Sequence, residues 1–439
     1  MKILNFIILF TLSNILLFAN YSLVIGKRPK SSIDRLHFKS VADMKNIPQN
    51  LDYYAKQVKP FSYSKMREYD REYNRAYFAP WSIDSITEPK DELFWQVKFV
   101  KRRKIYDGNR RVIKKSRWKY WIKNSNFKAL NSIRAKAITI KHSNIRAFPT
   151  YTPAYLNPKN PTQWFPFDYF QHSAIYPNTP LFISHYSLDK KWAFVQAPFT
   201  AGWIKVKDIA LVNSNFISKF KSGKYDISIK DDLWLLNGNK RVSLVKLGTI
   251  FPLVDNKPVV AARDGKYAKV EYLNVQKKGL IAKKPLAFTA KNVAKIAKEF
   301  YNEPYGWGGK MQTRDCSATT RDFFAPFGIF LPRNSRKQAK RGRATYIKGL
   351  PKSIKKRTIT EDAKPFQSLL FVPGHIGIYL GKYKKEPVIM HTYWGVRLKD
   401  WSKYPLCRTI ITTTEPGKEL PNIRKKSKLI NTLKYIVNF

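Results

Sequence analysis

One cysteine and two histidines in the C-terminal third of the chain could together carry nucleophilic chemistry. Cys316 follows a glycine-rich stretch, YGWGG, and stands at the start of a helix-like run that ends before Pro326. His375 precedes the apolar run IGIYLG, and His391 follows the apolar run VIM. A thiol at a helix start meets unpaired backbone N–H groups, which lower its pKa, and an imidazole can take its proton. The pattern predicts a nucleophile, a base and an orienting group within one α+β domain.

Each of these signals is weak alone, because a lone strand histidine is more often a hydrogen-bonded core residue and a lone cysteine is more often buried packing. The only other cysteine, Cys407, lies in the strand-like run YPLCRTII. In an oxidising compartment the two cysteines could form a disulfide. We expect Cys316 to be a free thiol, with a bond to Cys407 as the alternative.

The elements around these residues can be outlined from periodicity and turn residues. Apolar positions at helical spacing predict a helix over 289–302, with Thr289 as its N-cap. Upstream, short β-type runs are separated by turns such as Asp189-Lys190 and Asp264-Gly265. Regularly spaced short strands are typical of small barrels or sandwiches. The order predicts β units first and an α+β domain last.

The charge of the chain is extreme, with 82 Lys and Arg against 30 Asp and Glu, a formal net charge of +52. Such a charge attracts polyanions, of which nucleic acid and an anionic cell envelope are both candidates. The basic residues are spread along the whole chain, and no nucleic-acid-binding signature accompanies them. A lysine-rich composition would produce the same charge with no partner at all. We therefore expect no nucleic-acid partner.

The first residues, MKILNFIILFTLSNILLFAN, resemble an export signal. One lysine precedes a mostly apolar run that ends near Ala19, which fits a secretory signal peptide over residues 1–19. An uncleaved membrane anchor is the competing interpretation. No other stretch of the sequence approaches 18 continuous apolar residues. We expect an exported protein of the periplasm or cell envelope, with peripheral envelope association.

The C-terminal motifs, taken in order, resemble those of the NlpC/p60 cell-wall peptidases. The matching segments are YGWGG, DCSATTRDFF, LPRNSRKQ, GHIGIYLG and VIMH, which together span roughly residues 290–410. The stretch FDYFQHSAIYPNTPLFISHYSLDKKWAFVQAPFTAGWIKVKDIALV looks like the bacterial SH3-type domain that precedes such peptidases, and YFAPW resembles their N-terminal clip segment. One departure is KPFQSLLF, where the family usually has Pro-Gly-Asp-Leu.

The resemblance implies a multidomain α+β protein. Its C-terminal papain-like α+β domain is preceded by two small SH3-like β-barrels and an N-terminal clip region. The predicted division is a signal peptide over 1–19, a clip region over 20–130, SH3-type domains over 131–212 and 213–287, and the peptidase domain over 288–439.

The resemblance also implies a role for each matching position. Cys316 would be the nucleophile, His375 the base and His391 the group that orients it. Tyr305 would help to stabilise the oxyanion, beside the backbone N–H of Cys316. Three further positions, Asp315, Ser317 and Trp307, would contact the substrate.

The activity implied is hydrolysis of peptidoglycan stem peptides between γ-D-glutamate and the diamino acid, through a thioester and with a preference for a free N-terminal L-Ala. No cofactor is implied, and no metal is expected, because the sequence lacks metal-ligand spacing. The expected partners are peptidoglycan or muropeptide stem peptides, and the expected state is a monomer. The alternative is a non-catalytic protein that binds the wall or another polyanion of the envelope.

Overall fold

The computed structural model describes residues 21–439, in which an N-terminal region, two β units and a C-terminal α+β domain follow one another along the chain. The predicted signal peptide, residues 1–19, lies outside the described residues. Within the described part, no helix combines the length and the apolar character needed to cross a membrane.

The N-terminal region is mostly helical. Its elements are β1 (Tyr21–Ile25), α1 (Asp43–Asn46), α2 (Leu51–Ala55), α3 (Tyr63–Phe78), α4 (Lys90–Arg102) and α5 (Lys115–Asn124). Helix α4 begins with acidic residues and ends with basic ones, which matches the helix dipole.

The two β units that follow are built from short strands, most of them joined by short turns, with a long connection over 147–170 between β3 and β4. The first contains β2 (Ala135–Thr139), β3 (Ser143–Arg146), β4 (Gln171–Ile175), β5 (Pro180–Tyr186), β6 (Trp192–Gln196), β7 (Ala201–Lys205) and β8 (Ile209–Leu211). The second contains α6 (Ser214–Phe220), β9 (Tyr225–Ser228), β10 (Leu233–Asn237), β11 (Lys240–Val245), β12 (Ile250–Val254), β13 (Lys257–Asp264), β14 (Tyr267–Val275) and β15 (Ile281–Lys283). The predicted hairpin at Asp264-Gly265 joins β13 to β14, as expected.

Strand β1 links the N-terminal region to the second β unit. It pairs antiparallel with β10 and parallel with β14, so the first described strand completes a sheet formed far along the chain. The domain limits proposed from the sequence stay predictions, and this pairing shows that the N-terminal region also contributes to the later β unit.

The C-terminal domain places helices first and strands afterwards. Its elements are α7 (Ala290–Lys298), α8 (Cys316–Phe324), α9 (Ser335–Gln338), β16 (Arg343–Tyr346), α10 (Lys352–Asp362), β17 (Ser368–Val372), β18 (His375–Tyr383), β19 (Glu386–Arg397), β20 (Lys403–Thr413), α11 (Leu429–Thr432) and β21 (Tyr435–Asn438). Thr289 caps α7 as predicted, because its hydroxyl accepts the N–H of Asn292. The strands form an antiparallel sheet in the order β16-β21-β17-β18-β19-β20.

Helix α8 packs against β18 and β19 of this sheet. The close approach of the two strands depends on Gly377, because a Cβ at this position would lie 2.8 Å from the Cβ of His391. The glycine of the IGIYLG run therefore leaves room for the second histidine.

A continuous apolar core joins the C-terminal domain to the regions before it. The same cluster contains Tyr77 and Phe78 of α3, Ile227 of β9 and Phe323 of α8. Burial of this shared surface holds the regions together. The predicted multidomain α+β organisation, with a helical N-terminal region, a β-rich middle and a C-terminal α+β domain, is confirmed.

Candidate active site

Cys316 is the first residue of α8 and lies at the base of a cleft of about 720 Å³. Asp315 caps the helix by accepting the N–H of Ala318 at 2.9 Å. The sulfur accepts the backbone N–H of Ile376, the residue that follows His375. The helix start and the first residues of β18 therefore meet at the sulfur.

The resting thiol of Cys316 stays protonated. Burial and the adjacent Asp315 carboxylate raise its pKa to about 12, and the N–H groups of Ile376 and Ser317 offset only part of this. The expectation that the helix start would lower the pKa is therefore wrong. The N-cap carboxylate lies at the same helix end, and water is excluded from the sulfur. The thiol of Cys316 must therefore lose its proton during the reaction before it can act as a nucleophile.

His375 and His391 lie on the neighbouring strands β18 and β19 and contact one another. The two-residue turn Pro373-Gly374 joins β17 to β18 and sets His375 at the strand start. Nε2 of His375 lies 2.8 Å from Nδ1 of His391. Because Nε2 is occupied in this way, Nδ1 is the atom of His375 left to take a proton from a thiol.

Tyr393 and Lys403 lie against this histidine pair. The ring of Tyr393 stacks on His391 at 4.8 Å and lies 5.0 Å from His375, ring centre to ring centre. Lys403 donates to the carbonyl of Gly395 at 3.0 Å. Burial and then the Lys403 ammonium lower the pKa of His375 to about 3. Burial and His375 lower the pKa of His391 well below its usual value. Both imidazoles are therefore neutral at neutral pH.

Asp315, Ser317 and Arg333 form a buried polar group beside the sulfur. Arg333 donates to Asp315 at 2.5 Å and to the Ser317 hydroxyl at 2.7 Å. Burial raises the pKa of Asp315, but Arg333 and the N–H donors outweigh it and hold that pKa below its usual range. Asp315 is therefore a carboxylate, and the group offers a fixed set of charges at the cleft floor.

Tyr305 lines the same cleft as Cys316. Burial, with Cys316 and Asp315 nearby, raises the pKa of its phenol well above the usual value, so the hydroxyl keeps its proton and can donate. Trp307 also lines the cleft, and its indole N–H donates to the Asp168 carbonyl at 3.0 Å. Trp307 therefore contacts the first β unit as well as the cleft.

The glycines after Trp307 allow this contact between domains. Gly308 and Gly309 have φ angles of 61° and 74°, and a Cβ on Gly308 would lie 2.6 Å from the carbonyl oxygen of Gln171. Only glycine accommodates both the backbone conformation and the close approach to β4. The YGWGG stretch therefore fixes the peptidase domain against the first β unit, next to the cleft.

Residues of α4 and of the first β unit also line the cleft. Gln96 of α4 is 1% exposed, and among residues 21–439 its Oε1 has no hydrogen-bond partner. His172 of β4 stacks on Trp95, and its Nδ1 lies 3.4 Å from the Ala201 carbonyl. A carbonyl only accepts, so Nδ1 carries the proton and Nε2 is an acceptor. That Nε2 is also buried without a partner in the described part of the chain.

Carboxylates lie at the same side of the cleft. Glu88, Asp91 and Glu92 line it, and Lys337 of α9 pairs with Glu88 and with Glu92 at 2.7 Å each. These ion pairs connect the N-terminal region to the C-terminal domain. In a chain with a net charge of +52, three carboxylates close together in one part of a cleft are unusual.

Both cysteines are free thiols, so the alternative of a disulfide between Cys316 and Cys407 is wrong. Cys407 is buried on β20, outside the residues that line the cleft, and its thiol contacts the Trp394 carbonyl at 3.6 Å. It is a small buried side chain, as expected.

The structure brings all seven predicted site residues to one region. Cys316, Tyr305, Trp307, Asp315 and Ser317 line the cleft, and His375 and His391 lie on the adjacent strands β18 and β19, with Ile376, the residue after His375, in contact with the sulfur. Several neighbours were not found from sequence, namely Gln96, His172, Arg333, Tyr393 and Lys403. A signal existed only for Arg333, in the LPR segment. His172 lies outside the domain that contains Cys316, so its position along the chain gave no reason to include it among the site residues.

Comparison with known proteins gives a family for three parts of the chain. Residues 302–405 match the model of the NlpC/P60 family. This segment, which contains Cys316, His375 and His391, is an NlpC/P60 domain. Residues 9–129 match the N-terminal NlpC/P60 stabilising domain, and residues 153–205 match an SH3 domain of the SH3b1 type. An NlpC/P60 domain implies a cell-wall peptidase of the cysteine class.

Solved structures are similar over most of the chain. An NlpC/P60 endopeptidase from Photobacterium damselae subsp. piscicida is 23% identical with a TM-score of 0.82, over 92% of this chain and 99% of that one. An NlpC/P60 family protein from Bacillus cereus ATCC 10987 is 15% identical with a TM-score of 0.45, over 70% and 99% of the two chains. No curated protein sequence gave a match. The first similarity supports the fold alone.

Proposed function

We propose that this NlpC/P60 protein hydrolyses the amide bond between γ-D-glutamate and the diamino acid of peptidoglycan stem peptides, and that it prefers peptides with a free N-terminal L-Ala. The observation that carries the proposal is the sulfur of Cys316 in the cleft, in contact with the N–H of Ile376, next to which His375 is paired with His391. The diamino acid is diaminopimelate or lysine. The protein acts on these peptides after export.

The first half of the reaction forms a thioester. Nδ1 of His375 takes the thiol proton of Cys316 as the sulfur bonds to the γ-carbonyl carbon, and the carbonyl oxygen becomes an oxyanion. The backbone N–H of Cys316 and the hydroxyl of Tyr305 stabilise that oxyanion. When the oxyanion collapses, the C–N bond breaks and His375 gives its proton to the leaving amine of the diamino acid.

The second half releases the dipeptide. A water molecule gives a proton to Nδ1 of His375 as its oxygen attacks the thioester carbon. The C–S bond then breaks, and His375 returns the proton to the sulfur. The products are L-Ala-D-Glu and the diamino acid peptide, and the neutral thiol and imidazole are restored. This cycle suits the electrostatics of the site, because both groups start and end neutral.

The preference for a free amine is supported by the chemistry of the cleft walls. An ammonium donates hydrogen bonds and carries positive charge. The cleft offers it the acceptors of Gln96 and His172, which have no partner among residues 21–439, and the carboxylate of Asp91. A neutral, acylated amine would lose the charge interaction with this wall.

The proposal is tested by product analysis on two defined peptides. Purified protein is incubated with L-Ala-γ-D-Glu-diaminopimelate and with its N-acetylated form, and the products are separated by mass spectrometry. We expect release of L-Ala-D-Glu from the free peptide, with kcat/KM lower for the acetylated peptide by about 10- to 100-fold, the value of one or two hydrogen bonds to a charged group. Equal rates would overturn the amine preference. No cleavage of either peptide, together with binding to purified sacculi, would favour the non-catalytic alternative.

The pH dependence of the reaction should reflect the lowered pKa of His375. The neutral imidazole is the active form, so activity falls when His375 gains a proton. A pKa of about 3, against an ordinary 6.5, keeps the base neutral throughout the mildly acidic range. We expect kcat/KM, measured from neutral to acid pH at constant ionic strength, to decline well below pH 6.5 rather than at it.

A variant of Lys403 separates this effect from general acid sensitivity. Lys403→Met removes the cation that disfavours His375 protonation, so the acid decline of kcat/KM should move to higher pH. Lys399→Met is the matched control, because Lys399 is exposed on the same hairpin. A decline centred near pH 6.5 in all three proteins would contradict the argument.

A further inference from the structure

His391 contacts a buried hydroxyl on the side opposite His375. Its Nε2 lies 3.1 Å from Oγ1 of Thr412, while its Nδ1 contacts His375. Thr412 lies on β20, where His391 pairs with Ile410 and Thr412 pairs with Ile389, so the two residues are diagonal neighbours on one sheet face. Thr412 is fully buried, and His391 is 1% exposed. Water is therefore kept away from this contact.

The direction of these hydrogen bonds follows from the last acceptor in the series, the Thr413 carbonyl. The Thr412 hydroxyl lies 2.7 Å from the Thr413 carbonyl, which only accepts, so the single hydroxyl proton is used there. The Thr412 oxygen can then only accept from His391, which places the proton of His391 on Nε2. A neutral imidazole carries one N–H, so Nδ1 of His391 accepts from Nε2–H of His375. Nε2 of His375 therefore carries the ring proton, and Nδ1 carries the lone pair that can accept another.

The backbone beneath Thr412 is anchored from the N-terminal region. Asp43 of α1 accepts both the N–H of Thr413 at 2.8 Å and its hydroxyl at 2.7 Å. Thr413, whose carbonyl accepts the Thr412 hydroxyl, is thus anchored through both its backbone N–H and its side chain. The hydroxyl direction is set by fixed structure rather than by solvent.

We propose that Thr412 is a positioning residue that sets the tautomer of His391 and, through it, keeps Nδ1 of His375 as the proton acceptor for Cys316. This inference rests on the proposed peptidase function. Without the hydroxyl, His391 is free to carry its proton on Nδ1 and donate to His375. His375 would then hold its proton on Nδ1, facing the thiol, and could not act as a base. The same orientation lets His391 stabilise the imidazolium of His375 during the reaction.

The test compares three threonine variants in steady-state kinetics on L-Ala-γ-D-Glu-diaminopimelate. Thr412→Val keeps the shape and removes the hydroxyl, and Thr412→Ser keeps the hydroxyl. Thr409→Val is the matched control, because Thr409 is buried on the same strand and its hydroxyl contacts Thr392 instead of an imidazole. We expect Thr412→Val to lower kcat by about 10- to 100-fold, part of the 10²–10⁴ that general base catalysis supplies. KM should be unchanged, and Thr412→Ser and Thr409→Val should stay near wild type.

A second readout requires no turnover. Nitrogen-15 NMR of histidine-labelled protein reports which ring nitrogen carries the proton. In wild type we expect His375 and His391 both to be protonated on Nε2, and in Thr412→Val an Nδ1-protonated form of His391 should appear. His391 protonated on Nδ1 in wild type would overturn the inference, as would equal kcat and unchanged tautomers in Thr412→Val and Thr409→Val. If wild type proves inactive on every stem peptide, the proposed function fails while the tautomer measurement still decides this inference.

Discussion

Replacement of Cys316 by alanine is expected to abolish hydrolysis of L-Ala-γ-D-Glu-diaminopimelate. The sulfur forms the covalent intermediate, so its loss removes the reaction path rather than weakening a contact. We expect kcat to fall by about 10⁴-fold or more, as for other covalent nucleophiles that act together with a base. The measurement is product formation over long incubation by mass spectrometry, with circular dichroism to verify that the variant is folded.

Cys407→Ala is the matched control for this variant. Cys407 is the only other cysteine, is also buried, and lies outside the residues that line the cleft. Its removal should leave kcat near the wild-type value. Comparable turnover by wild type and Cys316→Ala, or loss of activity in Cys407→Ala alone, would contradict the assignment of the nucleophile.

Replacement of Arg314 by methionine is expected to cause a large loss of stability. Arg314 is 1% exposed and donates to Asp231 at 2.7 Å, to Glu303 at 2.9 Å and to Asp322 at 2.6 Å. Truncation would leave these buried carboxylates with too little positive charge, because only Lys246 beside Asp231 and Glu303 and Arg321 beside Asp322 would remain. Breaking such a buried group costs about 3–5 kcal/mol in the free energy of unfolding. Urea denaturation followed by circular dichroism measures the change.

A surface arginine provides the control for the Arg314 variant. Arg343 pairs with Asp362, but its side chain is 67% exposed. Exposed ion pairs contribute about 0–1 kcal/mol, so Arg343→Met should barely move the unfolding transition. Equal shifts in the two variants would show that the buried group is not a special source of stability.

The position of Arg314 also connects stability to the active site. Asp231 belongs to the second β unit and Asp322 to α8, the helix that begins with Cys316. Asp322 also accepts the hydroxyl of Tyr176, from the first β unit, at 2.5 Å. One buried charge cluster therefore holds both β units beneath the helix that carries the nucleophile.

Local features of the site were predictable from the sequence. The start of α8 at Cys316, the cap of α7 at Thr289 and the Asp264-Gly265 hairpin depend on residues within a few positions of each other. Short-range capping and turn chemistry leave clear patterns of this kind. The two strand histidines were predictable as strand residues for the same reason. Their 2.8 Å contact needed the pairing of β18 with β19.

Features that depend on distant parts of the chain could not be predicted in this way. Gln96 reaches the cleft from α4, and Thr412 acts from β20, and no local pattern marks either residue. The predicted lowering of the Cys316 pKa was wrong for the same physical reason. The helix start is visible in sequence, but the burial that outweighs it depends on the packing of the whole domain.

The most direct measurement of the central claim, that the sulfur of Cys316 carries the acyl group, is a burst experiment with an activated aryl ester of L-Ala-γ-D-Glu. Such an ester acylates the enzyme faster than water releases the acyl group, so the intermediate accumulates. We predict a burst of one phenolate per active site, and acid-quenched protein whose Cys316 peptide, not its Cys407 peptide, carries the dipeptide mass. Steady turnover of the ester with no burst and no adduct on Cys316 would contradict the account.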